Sequence, residues 1–408
     1  MEYVNFYIEK YDIHKGELLL DFINENEFIY FRNDGDYDET MHLSGYEPTM
    51  ILVRNIKTRY DFHEGGTITT KMSKLLEMKR VCKDDINMAY YKRHYANIAF
   101  EYYDGEIFYN FLMQPDTKVR TLYMGKSTET AKPIGKKTSP STLDNLSSDF
   151  KVIVANVSHG STNFIYDEKN LTMFDFGVSI YATEQDKNAM IEKHNDLLNS
   201  NRKKSIIISH WDLDHYSLLT SISDEFLKEL SCVFIPSKLL SLTSKLTYDR
   251  ISKHCKCITT FITPKTPIKR EEGMKKLCSN DHYALFIGVE SINLNKSGMA
   301  LAVYNDQVLF AFSADNSNYQ VWECMIESLP KNDQKYVNVV LSHHGGKNGR
   351  FYPELKKGQD GLVIISVGEN PNRYPNQEVV DRYIKLGFKI RRTDIEQQDI
   401  SLSSTKVE

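Results

Sequence analysis

An α/β domain preceded by a smaller α+β domain is the fold class the sequence predicts, and three observations carry it. The chain is 408 residues long, more than one hydrophobic core comfortably serves, so two domains are expected. Its texture changes across 125–149, "GKSTETAKPIGKKTSPSTLDNLSSD", where Ser, Thr, Lys and Pro dominate and little apolar surface is offered for burial. Beyond that stretch, apolar strand-like runs repeatedly end on polar, metal-capable residues, as "SIIISHWDLDHY" does at 205–216, and α/β sites gather at strand carboxyl ends. The expected division is an N-terminal accessory domain over 1–125, a linker over 126–149 and the α/β domain over 150–408.

The first 125 residues are rich in aromatics. Alternation in "EFIYFRN" (27–33) and "GEIFYNFLM" (105–113) reads as strand, and "TKMSKLLEMKRVCKDDINMAYYKRHYANIAF" (70–100) reads as helix from apolar residues three and four apart. No chemistry-bearing motif stands out there; His14, His42, His63 and His94 are scattered and read as structural.

From 150 onward, "KVIVANVSHGSTNFIYDEKNLTMFDFG" reads as three strands joined by turns. A helix over 184–200, the buried strand "SIIIS" and a helix near 216 follow. Next come "CVFIPS", the paired strands "GMALAVYND" and "QVLFAFSAD", and a helix around 319–329. The strands "YVNVVLS" and "GLVIISVG", a helix over 376–386 and the strand "FKIRRTD" complete the order.

Composition bounds function. A net charge of −4 argues against a broad, sequence-independent nucleic-acid surface, so any such contact is local. The longest apolar runs fall far short of a membrane span. "MEYVNFYIEKYD" has no basic segment leading into an apolar one, so no signal peptide is read. Six cysteines without framework spacing fit a reduced, cytoplasmic protein. "HCKC" at 254–257 lacks zinc-knuckle spacing, and the mixed-charge "PKTPIKREEGMKK" at 264–276 reads as a solvated loop. Trp211 reads as a packing residue.

The chemistry concentrates in His210, Asp212, Asp214 and His215, four metal-capable side chains within six positions directly after a buried strand. On a turn leaving a strand, alternate residues can face one pocket, so the cluster can serve two metals. The competing reading has Asp214 merely capping a helix from Tyr216. The density of ligand types favours metal.

This H-x-D-x-D-H segment resembles the H-x-H-x-D-H signature of the metallo-β-lactamase fold. It is most similar to the variant with Asp at the second position found in the soluble hydrolase domain of ComEC-type DNA-uptake competence proteins. "NVSHGSTNFIYDEKNLTMFDFG", "NLNKSGMALAVYNDQVLFAFSAD", "VNVVLSHHGGKNG" and "VIISVGENPNRYPNQEVVDRYIKLGFKIRRTD" resemble further family segments in the right order. The likeness spans roughly 150–403. It implies a four-layer αββα arrangement with two divalent metals, Mn or Zn. One metal would take His210, Asp212 and Asp315, with Asn293 in place of a family histidine; the other would take Asp214, His215, Asp315 and His343. The choice between His343 and His344 as the ligand stays open; with His343 bound, His344 would either support a ligand from behind or donate to the substrate or leaving group, Asp175 would orient a metal-bound histidine, and His159 would border the pocket. His254 and His282 are lesser candidates for the missing histidine. Two departures bear on substrate: Gly346 stands where the family has Ser, and Tyr374-Pro375 where it has His-Pro. Tyr374 is the third candidate catalytic residue, beside Asp214 and His344.

The resemblance and the donor set together imply metal-dependent hydrolysis by a metal-activated hydroxide at a dinuclear site, most directly of phosphodiester bonds in DNA or RNA. The oxygen-rich ligand set leans towards Mn²⁺. An effector or defence nuclease whose N-terminal domain meets a partner protein is the broader picture. The alternatives are a hydrolase of small esters, lactones or lactams, and a regulatory protein with an idle site.

Overall fold

The computed structural model describes residues 2–36, 41–43, 47–56, 62, 64–84, 89–90, 95–103, 118–120, 130–135, 139–265, 273–291, 294–330, 333–349, 351–368 and 374–405. The chain divides into two compact units. One comprises Met1–Thr130, Tyr181–Asp186 and Lys238–Arg250; the other comprises Ala131–Ile180, Lys187–Ser237 and Ile251–Glu408.

The first unit is α+β. Its strands are β1 (Tyr3–Asp12), β2 (Glu17–Phe22), β3 (Met50–Val53), β4 (Thr67–Lys71), β5 (Ala89–Tyr90), β6 (Ile98–Tyr102) and β7 (Lys118–Arg120). They form one sheet in the order β5-β6-β3-β2-β1-β4-β7. Alternate residues Val4, Phe6 and Ile8 of β1 and Leu18, Leu20 and Phe22 of β2 face the core, as a period of two requires. Two readings change here. "EFIYFRN" lies in a helix, Glu25–Arg32, because Asn24 caps its start by accepting from the N–H groups of Asn26 and Glu27. Phe28 and Phe31, one turn apart, then both reach the core. The helix expected over 70–100 covers Met72–Asp84, and Ile98–Tyr102 is instead a strand paired parallel with β3. The stretch 105–113, His63 and His94 lie outside the described residues. Asp21, fully buried, accepts from the Thr243 N–H at 3.0 Å and the Thr49 hydroxyl at 2.6 Å. Those bonds tie the 238–250 segment into this unit, and burial pushes the Asp21 carboxyl up.

The second unit holds two seven-stranded sheets. The first contains β8 (Lys151–Val154), β9 (Thr162–Tyr166), β10 (Asn170–Phe176), β11 (Lys203–Ile207), β12 (Leu230–Pro236), β13 (Ile258–Phe261) and β21 (Ile400–Ser403). Their order is β13-β12-β11-β10-β9-β8-β21. The second runs β14 (Met274–Ser279), β15 (Tyr283–Gly288), β16 (Met299–Tyr304), β17 (Val308–Phe312), β18 (Tyr336–Val340), β19 (Asp360–Ile365) and β20 (Phe388–Arg392), in sequence order. In each sheet an antiparallel half meets a parallel half, at β10 and at β17.

Strict alternation sorts the second sheet's side chains between two cores. Tyr283, Leu285, Ile287, Leu301, Val303, Val308, Phe310 and Phe312 point inward against Val152, Ile165, Phe174, Ile207 and Phe234 of the first sheet. Phe174 meets Phe312 at 5.7 Å between ring centroids. The intervening Ala284, Phe286, Ala300, Ala302, Leu309 and Ala311 face outward, against Trp322 and Met325 of one helical segment and Val379 and Tyr383 of helix Gln377–Lys385. On the first sheet's outer side, Phe176 stacks on Phe226 of helix Asp224–Glu229 and Phe164 on His194. The result is helix, sheet, sheet, helix: the four-layer order expected. Residues 139–149, expected within a linker, contain the short helix Ser141–Asp144 and bury Leu143 and Leu146 between the sheets. No described helix is long and apolar enough to cross a membrane.

Candidate metal centre

The strand ends where the two halves of each sheet meet carry the polar residues. The loop after β11 delivers Ser209 and His210, and the short helix Leu213–Tyr216 begins from Asp212. β10 ends in a bulge that turns Asp175 into the left-handed region, φ 59°. The loops after β17 and β18 bring Asp315, His343 and His344.

Asp175, with no exposed surface, organises the floor. Its carboxylate accepts from the Ser209 N–H at 2.7 Å, the Ser209 and Ser161 hydroxyls at 3.1 and 3.2 Å, and His215 Nδ1 at 2.8 Å. A carboxylate only accepts, so the His215 proton sits on Nδ1 and Nε2 presents its lone pair. Ser209 gives its own proton to Asp175 and takes one from His210 Nδ1, 2.9 Å away. His210 Nε2 therefore also presents a lone pair. Neither His210 Nε2 nor His215 Nε2, both buried, has a hydrogen-bond partner. His344 repeats the pattern: Nδ1 donates to the Ser366 carbonyl at 2.8 Å, and Nε2 lies 3.2 Å from Asp214 Oδ2. Buried imidazoles oriented through one nitrogen, with the other turned towards carboxylates, could hold a divalent cation.

Two overlapping groups result: His210, His215 and Asp315, and Asp214, His215 and His344, with ligand atoms in each within 4.8 Å of one another. His215 Nε2 is 3.4 Å from Asp315 Oδ1, and His210 Nε2 is 3.9 Å from Asp315 Oδ2 and 3.3 Å from Asp212 Oδ2. The electrostatics agree. Burial alone would raise the Asp214 carboxyl, but His215 and the His344 hydrogen bond hold it far below the usual carboxylate range. Burial likewise opposes charge on Asp315, yet His343 and His215 hold it well down. His215 resists burial and is pushed well up by Asp175, Asp214 and Asp315. Concentrated carboxylates here need positive charge, which protons or metal ions supply.

His343 is placed differently from the role expected of it. Its Nδ1 lies 2.7 Å from Asp315 Oδ2 and its Nε2 2.7 Å from the Tyr374 hydroxyl, so hydrogen bonds occupy both nitrogens. It is His344 whose Nε2 joins the Asp214–His215 group. The exchange follows from the backbone: His343 and His344 both take left-handed conformations, φ 48° and 52°, which swing the second imidazole inward. The His159 ring centroid lies 6.0 Å from those of His344 and Tyr374. Asn293 lies outside the described residues. His254 pairs with Asp224 at 3.3 Å, and His282 occupies the β14–β15 turn; neither joins either group. Trp211 is buried, donates to the Pro236 carbonyl at 3.0 Å and packs on Tyr216. Most of 264–276 lies outside the described residues.

Sequence reasoning missed Ser209, Ser161 and the Ser366 carbonyl. Ser209 had a local signal, standing at a strand end beside His210; the other two are far away in sequence. Gly177 is a further silent requirement. A Cβ there would stand 2.2 Å from the Asp214 carbonyl oxygen, so only glycine lets the Asp175 bulge approach the Asp214 loop.

No protein-family model and no curated protein matches the chain. It is similar to the solved structure of the metallo-β-lactamase-fold protein YhfI from Bacillus subtilis, at 10% identity and TM-score 0.34, over 62% of this chain and 99% of that one. The short form of human tRNase Z gives 11% identity and TM-score 0.35 over 62% and 98%. A variant of the CmlA β-hydroxylase gives 11% and 0.35 over 83% and 69%. The four-layer αββα order is a property of this chain's own two sheets.

Proposed function

We propose that the chain is a metal-dependent hydrolase of phosphodiester bonds, a nuclease of the ComEC-like branch in which Asp212 replaces a histidine. The observation that carries the reading is the pair of buried imidazole nitrogens that make no hydrogen bond, His210 Nε2 and His215 Nε2, turned towards Asp315. A single imidazole nitrogen has one lone pair, so His215 can serve only one ion. Two ions would therefore divide the donors: His210, Asp212 and Asp315 would hold one, and Asp214, His215 and His344, with Asp315, the other. Divalent cations held there would polarise a phosphoryl oxygen and acidify water. One nitrogen against two carboxylates in the first set favours Mn²⁺ over Zn²⁺.

The chain's own residues do the rest. Asp175 and the Ser366 carbonyl fix the tautomers of His215 and His344, and Ser209 fixes that of His210. Asp212 and Asp214, about one-fifth exposed, are the donors that solvent and substrate can reach.

The test is metal analysis of the purified protein, followed by cleavage assays on single- and double-stranded DNA and RNA with Mn²⁺, Zn²⁺ or Mg²⁺. Cleavage by the native protein and none by Asp214→Ala/His215→Ala is the expected result. Full metal occupancy without cleavage of any nucleic acid, together with turnover of esters or lactones, would reassign the substrate.

A further inference from the structure

The outer side of the second sheet holds an open cavity of about 570 Å³ that shares no lining residue with the metal centre. That is the size of a small-molecule site, about 300–1,000 Å³. Leu309 and Val337, which face outward from β17 and β18, lie at its floor. Trp322, Phe351 and Tyr352 supply aromatic surface, and Phe351 and Tyr352 are only half-buried. Trp322 stands on a π-helical segment, Gln320–Met325, a rare form that occurs frequently at functional sites.

The cavity is preformed, because its walls are pinned at both ends. At one end Asn348 Nδ2 donates to the Asp315 and Asn316 carbonyls at 2.9 Å each, and the Asn348 carbonyl accepts from the Asn318 N–H at 3.1 Å. From that junction one stretch of chain runs into Gln320–Met325 and the other into 351–359. At the far end the Gln359 side chain donates to the Gln334 carbonyl at 2.9 Å, just before β18. A site held open in this way spends little binding energy on ordering itself.

Charge selects the occupant. Glu323, Glu327, Glu354 and Lys356 are the ionisable residues of the lining besides Tyr352. Lys356 lies 3.9 Å from Glu327. Glu323 and Glu354 are exposed and make no hydrogen bond or ion pair with any described residue. An anion would be repelled by these carboxylates, and a wholly apolar guest would strip them of water without replacing it. A cation gains from the carboxylates and from the aromatic faces; the Arg382 guanidinium already stands 5.3 Å from the Tyr352 ring centroid. The apolar floor adds a preference for methylene groups over bare charge. We propose that this cavity binds an aliphatic polyammonium ion, with its methylenes on Leu309, Val337 and the aromatic rings and its ammonium groups at Glu323 and Glu354. The proposal does not depend on the phosphodiesterase reading above.

The test is calorimetric titration of the full-length protein with spermidine, followed in parallel by tryptophan fluorescence. Trp322 lines the cavity, whereas the chain's other tryptophan, Trp211, is buried against Tyr216. One spermidine per chain, with a fluorescence change that saturates alongside the heat, is the expected result. Glu323→Gln/Glu354→Gln should weaken binding about three- to tenfold, since each exposed ion pair contributes modestly. Phe351→Ala should weaken it about two- to fivefold through the lost cation–π contact. Affinity should be the same with and without bound Mn²⁺, and Mg²⁺ at the concentration of spermidine should not displace it. Absence of saturable binding would overturn the proposal, as would native affinity in the double variant. Loss of spermidine on loading Mn²⁺ would place it at the metal centre, and displacement by equal Mg²⁺ would reduce the site to a bare acidic patch; either result would also overturn it.

Discussion

Replacing Asp175 by Asn tests how the floor of the site sets the chemistry above it. The side chain is fully buried and accepts four hydrogen bonds, from the Ser209 N–H, two serine hydroxyls and His215 Nδ1. Asparagine keeps the shape and one oxygen, which stays with the Ser209 N–H. Its amide nitrogen then replaces the oxygen at 2.8 Å from His215 Nδ1. Two N–H groups cannot face each other, so His215 moves its proton to Nε2 and turns a lone pair to the amide. The hydroxyls rotate to accept instead of donate. Losing a charge-assisted bond but keeping neutral ones costs roughly 1–3 kcal/mol of stability, a fall of roughly 2–12 °C in thermal midpoint. The larger effect is on metal. His215 Nε2 no longer offers a lone pair, and removal of such an orienting partner weakens metal binding about 10–100-fold. At a fixed excess of Mn²⁺ the metal-dependent stabilisation should shrink by about 1.4–2.7 kcal/mol. Thermal denaturation with and without metal, beside a chelator competition titration, measures both quantities. A folded Asp175→Asn protein that binds metal within about threefold of the native affinity, against the 10–100-fold weakening expected, would refute the tautomer argument.

Three further outcomes follow from the same structure. Gly177→Ala places a methyl group 2.2 Å from the Asp214 carbonyl oxygen, so the two loops must part. A loss of about 1–3 kcal/mol in denaturant titration, with weaker metal binding, is expected. Phe310→Ala empties a fully packed position between the sheets, where Phe310 meets Phe150 at 5.8 Å; it should cost about 3–5 kcal/mol in urea unfolding without altering metal stoichiometry. Burial opposes the Asp399 charge, but His194, Lys193 and the Asn156 N–H outweigh it and hold the carboxyl at about 2. A depressed folded value means its contribution is complete above the unfolded value of about 3.9 and disappears as pH falls towards 2. Asp399→Asn should therefore flatten the stability profile across that window and lower stability at pH 7.

Much of the site was legible because it is local. His210, Asp212, Asp214 and His215 lie within six residues after "SIIIS", and a buried strand that ends there must deliver them together. The two-residue alternation of β15 to β17 was legible for the same reason: each side chain's face follows from its position in the strand. Readings that depended on distant partners changed. "EFIYFRN" alternates like a strand, yet the Asn24 cap and the packing of Phe28 and Phe31 make it helical. Period-two and helical patterns are hard to separate over so short a run. Residues 139–149 look like linker by composition, but Leu143 and Leu146 find a place between the sheets.

The sequence by itself determined the donor chemistry and the strands that end on it, because those depend on residue types at short separations. Tertiary structure decided which histidine of the pair His343–His344 faces the centre. That depends on two successive left-handed backbone conformations and on a Ser366 carbonyl 22 residues away. It also decided that Asp175 and Ser209 fix the protons of His215 and His210, and that Tyr374 closes a line through His343 to Asp315. A proton's position on an imidazole is set by whatever the other nitrogen touches, and that contact exists only once the two sheets have packed.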